Sequence, residues 1–288
     1  MRRGASLDRP GSRLTRRLLR ESLRPLGLLL LASAAMAEAA HIRPLLDAET
    51  LQPAPGSRIA LALSMIPERG WHGYWQNPGD AGAPAFVEWT LPAGAVMGPL
   101  RYPVPKRLMT QGLMNYVYDR PYALLLTLDV GRGLPRGTSL RIAGRARWLA
   151  CSATLCVPEQ APVSINLVVG EGATSSSARA RFDKWRRQLP VPLSRPATLE
   201  DSAGLIRISI PFSRTHKLSN PYFFPFTDRV IDYAAPQRIT RHGDRLIVET
   251  KAITNGARLS SLDGLITFDG DHGFSVSALP GHRSPPGQ

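Results

Sequence analysis

The amino-acid sequence predicts an all-β protein, in which a β-sandwich is followed by a second, smaller β domain and one helix links them. Three observations predict this fold. Apolar and polar residues alternate at a period of two over several short segments, which is typical of half-buried strands. Turn sequences rich in proline and glycine separate the segments, as in residues 77–80 and 131–137. Only one segment has clear helical periodicity, so a sandwich of short strands is favoured.

The first 37 residues have the pattern of a secretory signal peptide. Eight arginines precede a short apolar run over residues 26–37, which ends in Ala35-Met36-Ala37. This run is shorter than the ~20 residues that a membrane-spanning helix needs. We expect cleavage after Ala37 and a soluble periplasmic product. Residues 15–19 partly resemble a twin-arginine signal, although the general secretory route is favoured; a surface amphipathic helix is the alternative.

The charge of the chain bears on its partners. The formal net charge is +14, and the eight arginines of the first 37 residues outnumber Asp8 and Glu21, which leaves +8 for the remainder. That charge is scattered along the chain. A basic exported protein favours anionic surfaces or acidic partners. Because the sequence shows no zinc finger, no RNP-type aromatic motif and no basic helix, we do not expect a nucleic acid as partner.

The first predicted domain covers residues 45–170. Its strands are predicted from alternating apolar faces, each bounded by turn residues. The clearest four are residues 59–65, 124–130, 140–148 and 163–169.

The helix and the second domain follow. Ala178, Phe182, Trp185 and Leu189 recur at helical spacing, and the Pro190-Val191-Pro192 segment ends the pattern. With the proline-rich stretch to Pro196, this region is predicted to be a linker over residues 175–196. A smaller β domain is predicted for residues 197–280 and a loose tail for 281–288. Its predicted strands are residues 206–210, 230–233, 246–250, 265–268 and 274–278.

Cys151 and Cys156 are the only cysteines, and in an oxidising compartment such a close pair forms a disulfide. A strand runs into Cys151 and another follows Pro162, so the pair is expected near a hairpin tip, where opposed residues are close enough for a bridge. A disulfide that closes so short a loop stabilises a fold by about 2 kcal/mol, against about 4.7 for a loop of about 100 residues. This favours redox use over an inert structural bridge.

Copper binding is a further alternative. Thiolate and thioether ligands suit Cu(I), so Met109 or Met114 would complete a site with the two cysteines. The cysteine spacing is not that of a four-ligand zinc site. The six histidines are scattered without ligand spacing, and His72, in a turn, is interpreted as structural. We therefore predict no metal and no cofactor.

Charged residues near the cysteines have two interpretations. The alternation over residues 140–148 places Arg145, Arg147 and Cys151 on one outward face, where guanidinium groups would lower a cysteine pKa. Alternatively, the arginines only solvate an exposed strand. Asp80 and Glu159 would assist proton transfer to a thiol, or would be structural carboxylates.

Several motifs together resemble a known family. They are WLAC ending at Cys151, CVPE starting at Cys156, GWHGYWQNPGD over residues 70–80 and VEW over residues 87–89. Over about residues 45–170 the chain resembles the amino-terminal domain of the DsbD thiol:disulfide interchange proteins, and more closely their copper-tolerance relatives of the ScsB type. Tyr222 to Pro236 resembles the second β module of ScsB-type proteins.

The resemblance implies an immunoglobulin-like domain that acts in protein-disulfide reduction and, in this family, in cytochrome c biogenesis. It implies a membrane-embedded thiol electron transporter as donor, and periplasmic thioredoxin-like or disulfide isomerase proteins as acceptors. Cys156 would form mixed disulfides and Cys151 would resolve them. Because no membrane or thioredoxin-like domain is recognisable here, we expect these on other polypeptides or in the missing part of a truncated chain.

The resemblance also implies a cap over the cysteines. DsbD proteins shield theirs with an aromatic cap loop, whereas the matching residues 109–112 contain no aromatic side chain. Tyr74, Tyr116 or Tyr118 would substitute for it, or each would be a core or turn residue.

Overall fold

The computed structural model describes residues 40–202, 204–253, 259–270 and 272–281. The predicted signal peptide over residues 1–37 lies outside the described residues, and so does the predicted tail beyond Gly281. Within the described ranges, no helix is both long enough and apolar enough to cross a membrane.

Ten strands precede the helix and form three sheets, ordered β1-β2-β8-β5, β10-β9-β4 and β3-β7-β6. The strands are β1 (Ile42–Ala48), β2 (Arg58–Pro67), β3 (Gly73–Gly79), β4 (Phe86–Thr90), β5 (Ala95–Met97), β6 (Lys106–Thr110), β7 (Leu113–Tyr118), β8 (Tyr122–Val130), β9 (Ser139–Cys151) and β10 (Cys156–Val168).

The first two sheets pack face to face as a sandwich. Leu61 of β2 and Leu126 of β8 contact Ile142 of β9 and Leu167 of β10 in one buried cluster. Burial of each such side chain contributes roughly 1.5–3 kcal/mol. Along β9, buried Leu140, Ile142, Ala146 and Trp148 alternate with exposed arginines, which confirms the period-two prediction for residues 140–148.

Strands β2 and β8 depart from the half-buried pattern, because both of their faces are covered. The helix α1 (Ser176–Arg187) begins after Ser175, whose hydroxyl accepts a hydrogen bond from the Ala178 amide as an N-cap. Its Phe182 packs on the outer face of the two strands, against Ala62 and Ala123. These small residues leave room for the aromatic ring, so the outer face is buried as well.

The strands after the helix form a single sheet ordered β14-β17-β18-β12-β13-β16-β15, with β11 paired to β18. They are β11 (Val191–Pro192), β12 (Ala197–Ser202), β13 (Leu205–Pro211), β14 (Tyr222–Pro225), β15 (Arg238–His242), β16 (Arg245–Lys251), β17 (Leu262–Asp269) and β18 (His272–Pro280).

Two details of this second group differ from expectation. The proline-rich segment predicted as linker contains β11, which pairs with Phe274 and Ser275 of β18. The strand predicted for residues 230–233 is wrong, because Ile231 forms only an isolated bridge with Ala252 and a turn follows. In each described strand pairing, both strands precede α1 in the sequence or both follow it. The division into domains 45–170 and 197–280 stays a prediction.

An irregularity in β3 connects the two groups of strands. Tyr74 pairs with Val117 of β7, and the ladder resumes only at Gly79, opposite Asn115, so the residues between them bulge out of the sheet. From this bulge, the Asn77 amide donates hydrogen bonds to the Pro225 carbonyl at 2.9 Å and the Tyr233 hydroxyl at 3.2 Å. The bulge therefore anchors β3, which also contributes to the cysteine site.

Candidate functional site

The two cysteines occupy the end of the β9–β10 hairpin. Strand β9 ends at Cys151, β10 begins at Cys156, and the register places the two residues directly opposite each other. They form a disulfide with a Cα–Cα distance of 4.1 Å. The turn between them is closed by Ser152, whose amide donates to the Leu155 carbonyl at 2.7 Å and whose hydroxyl accepts from the Leu155 amide at 3.1 Å. The predicted hairpin position of the pair is observed.

The two sulfur-bearing residues differ sharply in exposure. Cys151 is 1% exposed, whereas Cys156 is an exposed residue at the start of β10. Tyr74 and Val117 pack on Cys151, with Leu108 and Leu149 around them. Thiol–disulfide exchange depends on which sulfur an incoming thiolate can reach. The geometry therefore leaves Cys156 as the accessible end of the bridge.

A cavity of about 220 Å³ lies beside the disulfide. Its walls include both cysteines, His72 and Tyr74, and its rim is the tip of the β6–β7 hairpin. Gln111 and Gly112 form that tip with φ angles of 51° and 81°, as a two-residue turn between antiparallel strands requires. The segment expected to act as a cap thus lies next to the cysteines, with non-aromatic side chains.

Only one of the three candidate cap tyrosines lies at the disulfide. Tyr74 packs on Cys151, whereas Tyr116 is fully buried on the opposite face of β7 and its hydroxyl lies 3.0 Å from that of Tyr222. Burial raises the pKa of Tyr116 far above its ordinary value. Tyr118 stacks on Tyr122 and donates to the Pro103 carbonyl. Successive side chains along β7 point to opposite faces, and it is Val117 that faces Cys151. The prediction that Tyr116 lines the site is therefore wrong.

The predicted effect of the two arginines on Cys151 is corrected as well. Arg145 and Arg147 are exposed, but Cys151 is covered, so the three do not form an outward face. At about 3.3 Å per residue, Arg147 lies about 13 Å and Arg145 about 20 Å along the strand from Cys151. Charges in solution are screened over about 8 Å. Arg147 instead pairs with Glu88 at 3.1 Å.

The two candidate carboxylates hold backbone segments together. Glu159 lies on the opposite face of β10 from Cys156, where it accepts hydrogen bonds from the amides of His41 and Ile42 and from the Trp148 indole. Asp80 accepts from the Met114 amide at 2.7 Å. These contacts match the structural alternative left open by the sequence.

His72 is the residue that sequence reasoning did not place at the site. Its backbone exchanges two hydrogen bonds with Cys151, at 2.8 and 3.0 Å, and its side chain lines the disulfide cavity. Burial lowers the pKa of His72 below its ordinary value, against an opposing effect of Asp119. The signal available in the sequence was its position two residues before Tyr74, which places both side chains on one face of a strand.

The structure does not favour the predicted copper ligands. Met109 and Met114 are directly opposite each other on β6 and β7. Met114 packs with Tyr116, away from Cys151. Because directly opposed residues share a face of the sheet, Met109 lies on that same face and also points away from Cys151. Across the described part of the chain, no group of three or more His, Cys, Asp or Glu side chains has a geometry that fits a metal ion.

Comparisons with known proteins show what part of the chain and its fold are similar to. Residues 43–167 match the family model described as thiol:disulfide interchange protein DsbD, N-terminal. The N-terminal periplasmic domain of ScsB from Proteus mirabilis superposes with a TM-score of 0.63 at 16% identity, covering 85% of this chain and 96% of that one. The major pilin subunit BcpA of Bacillus cereus reaches a TM-score of only 0.26 at 10% identity, with 84% and 67% covered. No curated protein matches the chain significantly.

Proposed function

We propose that the chain passes reducing equivalents between proteins through the Cys151–Cys156 pair, because residues 43–167 match the DsbD N-terminal family model and the ScsB periplasmic domain has a similar fold. The observation that carries this proposal is the unequal exposure of the two cysteines. An inert bridge has no need of one accessible and one covered end. An exchanging bridge does, because one sulfur must meet the partner while the other completes the reaction.

The exchange has two steps. The thiolate of a reduced partner attacks Cys156 Sγ, the bond between the two cysteines breaks, and Cys151 Sγ leaves as a thiolate. A second partner thiolate then attacks the mixed disulfide, which releases an oxidised donor and leaves both cysteines reduced. In the reverse direction, Cys156 attacks an acceptor disulfide, and Cys151 resolves the intermediate. Two electrons are transferred in each direction.

The partners and the location belong to the same proposal. The signal-peptide pattern supports the periplasm as the working compartment. The family supports a membrane-embedded thiol transporter as donor and thioredoxin-like or disulfide isomerase proteins as acceptors. We propose that residues 45–170 carry the redox reaction and that residues 197–280 form the second β domain.

The matched variants Cys151→Ala and Cys156→Ala test the proposal. Each is incubated with glutathione disulfide, and the intact mass shows whether one glutathione is attached. Cys151→Ala keeps the exposed sulfur and is expected to accumulate the adduct, whereas Cys156→Ala keeps the covered sulfur and is expected to remain unmodified. In glutathione buffers, the wild-type bridge is expected to have a potential above the approximately −300 mV of resistant structural disulfides.

Two results would contradict the proposal in different ways. An adduct on Cys156→Ala alone would reverse the roles of the two cysteines. If neither variant forms an adduct and the wild-type bridge survives millimolar dithiothreitol, the disulfide is an inert bridge.

A further inference from the structure

His72 is a buried, titratable residue beside the disulfide that the two-step exchange does not use. It forms an antiparallel bridge with Cys151, and directly opposed residues in such a pair share one face, with Cα atoms about 5.5 Å apart. Both residues line the disulfide cavity. The Tyr74 ring, which packs on Cys151, lies edge-on to the imidazole at 5.3 Å. These contacts place the imidazole on the same side of the sheet as Cys151 Sγ.

The imidazole is largely buried but open to the cavity. His72 is only 9% exposed, and no hydrogen bond to its ring nitrogens is found among the described residues. Those nitrogens are not among the buried polar atoms that lack a partner, so they face the cavity. A group of this kind next to a reactive centre is a candidate for a role in the chemistry.

The reaction creates a need for a proton at this position. When the disulfide opens, Cys151 becomes a thiolate in a site lined by Val117, Leu108 and Leu149, where burial disfavours the charged form. When Cys151 attacks in the reverse direction, its thiol must first lose a proton. In both directions a proton has to move at a sulfur that is 1% exposed.

The other groups that face His72 do not fit this role. Tyr74, on the same strand, stays protonated because burial raises its pKa. Asp119, which follows β7, is bound by Lys106 of β6 at 2.7 Å. Across the hairpin tip, Thr110, Gln111 and Asn115 do not titrate. Besides the cysteines themselves, His72 is the group in this set that exchanges protons near neutral pH.

We propose that His72 is the proton-transfer partner of Cys151. Its neutral imidazole accepts the thiol proton when Cys151 attacks the mixed disulfide at Cys156. In the reverse step the imidazolium, which takes its proton from solvent in the cavity, delivers that proton to Cys151 Sγ as the sulfur leaves. The inference rests on the proposed exchange function. The lowered pKa of His72 supports it, because a neutral ring at neutral pH is ready to accept a proton.

The test distinguishes the two sulfurs by the order in which they react. The reduced, full-length protein is mixed with one equivalent of an aromatic disulfide that releases a coloured thiolate. Attack by Cys156 releases the first thiolate, and resolution by Cys151 releases the second. Both phases are followed by rapid mixing across a range of pH values, in the wild type, in His72→Asn and in the control His41→Asn. His41 stacks on Trp71 and does not line the cavity.

The proposal expects an effect on one phase only. His72→Asn should slow the second phase by about 10²-fold at neutral pH and remove the imidazole inflection from its pH profile. Its first phase should match the wild type, and His41→Asn should match the wild type in both phases. A second phase that is unchanged in rate and pH profile in His72→Asn overturns the proposal.

A measurement on the wild type covers the case in which His72→Asn does not fold. The second phase of the wild type should accelerate with pH through the pKa that NMR gives for the His72 ring of the reduced protein, because only the neutral ring accepts the thiol proton. A second phase without an inflection at that pKa overturns the proposal. If the wild type releases only one equivalent of thiolate, the exchange function itself fails, and this inference fails with it.

Discussion

The disulfide cavity and an aromatic cluster on the other side of β3 and β7 are separated by the thickness of one sheet. Neighbouring residues on each strand face opposite regions. On β3, Tyr74 packs on Cys151 whereas Trp75 lies in the cluster, and on β7, Val117 packs on Cys151 whereas Tyr116 lies in the cluster. We call the second region the tyrosine cluster. Its central residues are Trp75, Tyr116, Tyr222, Phe224 and Tyr233.

The two regions differ in how their polar atoms are satisfied. In the tyrosine cluster, the Tyr116 and Tyr222 hydroxyls bond to each other, and that of Tyr233 donates to Asp228 at 2.8 Å and accepts from Asn77. Trp75 Nε1 is the exception in the cluster, because it is buried without a hydrogen-bond partner. In the cavity, the polar atoms of Tyr74 and His72 are not among the buried atoms that lack a partner, so they are open to the cavity. A buried network of hydrogen bonds makes a core rigid, whereas polar groups that face a cavity at a reactive bond are available for chemistry.

The largest expected effect is on the tyrosine cluster. Tyr116→Ala removes a fully buried ring and should lower the free energy of unfolding by about 3–5 kcal/mol in urea titrations. Tyr116→Phe loses only the hydroxyl bond to Tyr222 and should cost about 1 kcal/mol. The Tyr116→Phe protein should retain the wild-type disulfide potential. A shifted potential in this variant would show that the cluster also controls the cysteines.

Glu159 is expected to have a smaller effect of the same kind. Glu159→Ala leaves the Trp148 indole and two backbone amides without their acceptor, which should lower the free energy of unfolding by about 1–3 kcal/mol. Glu159→Gln retains an acceptor oxygen and should lose less. The rate at which glutathione attaches to Cys151→Ala should not change when either substitution is added. A slower rate would show that Glu159 contributes to the redox reaction.

The sequence predicted the strands well, because alternation reports burial within one strand. It predicted the position of the disulfide for the same reason, since two alternating segments flank it. It did not predict which residues cover the other face. The outer face of β2 is buried by Phe182, which lies more than 100 residues away, and the bulge after Tyr74 directs Trp75 and Asn77 towards β14. Such contacts depend on tertiary packing, so the sequence left Tyr116 open between the site and the core and interpreted His72 as structural.

The pH dependence of stability sharpens the comparison on the cavity side. Burial lowers the pKa of folded His72 below the 6.5 of the unfolded chain. Between these values the unfolded state binds more protons, so the contribution of His72 to stability is present above the unfolded pKa and is lost as the pH falls. The wild type should therefore lose more unfolding free energy than His72→Asn between about pH 7 and pH 5. If the free energies of unfolding of the two proteins change in parallel with pH, His72 is not a buried ring that is neutral in the folded state.

The smallest expected effect concerns the arginines of β9. Arg147 and Glu88 are about half exposed, with side-chain exposures of 51% and 52%, so loss of their ion pair should change stability by less than about 1 kcal/mol. Arg147 also lies about 13 Å along the strand from Cys151, beyond the roughly 8 Å over which charges act at physiological salt. Thiolate absorbance titrations of reduced Cys156→Ala, with and without Arg147→Ala, should give the same pKa for Cys151. Arg145→Ala is the more distant control. A higher Cys151 pKa in the Arg147→Ala protein alone would mean that the exposed face of β9 contributes to the reactivity of the covered sulfur. A structural side and a reactive side would then not be separate along this strand.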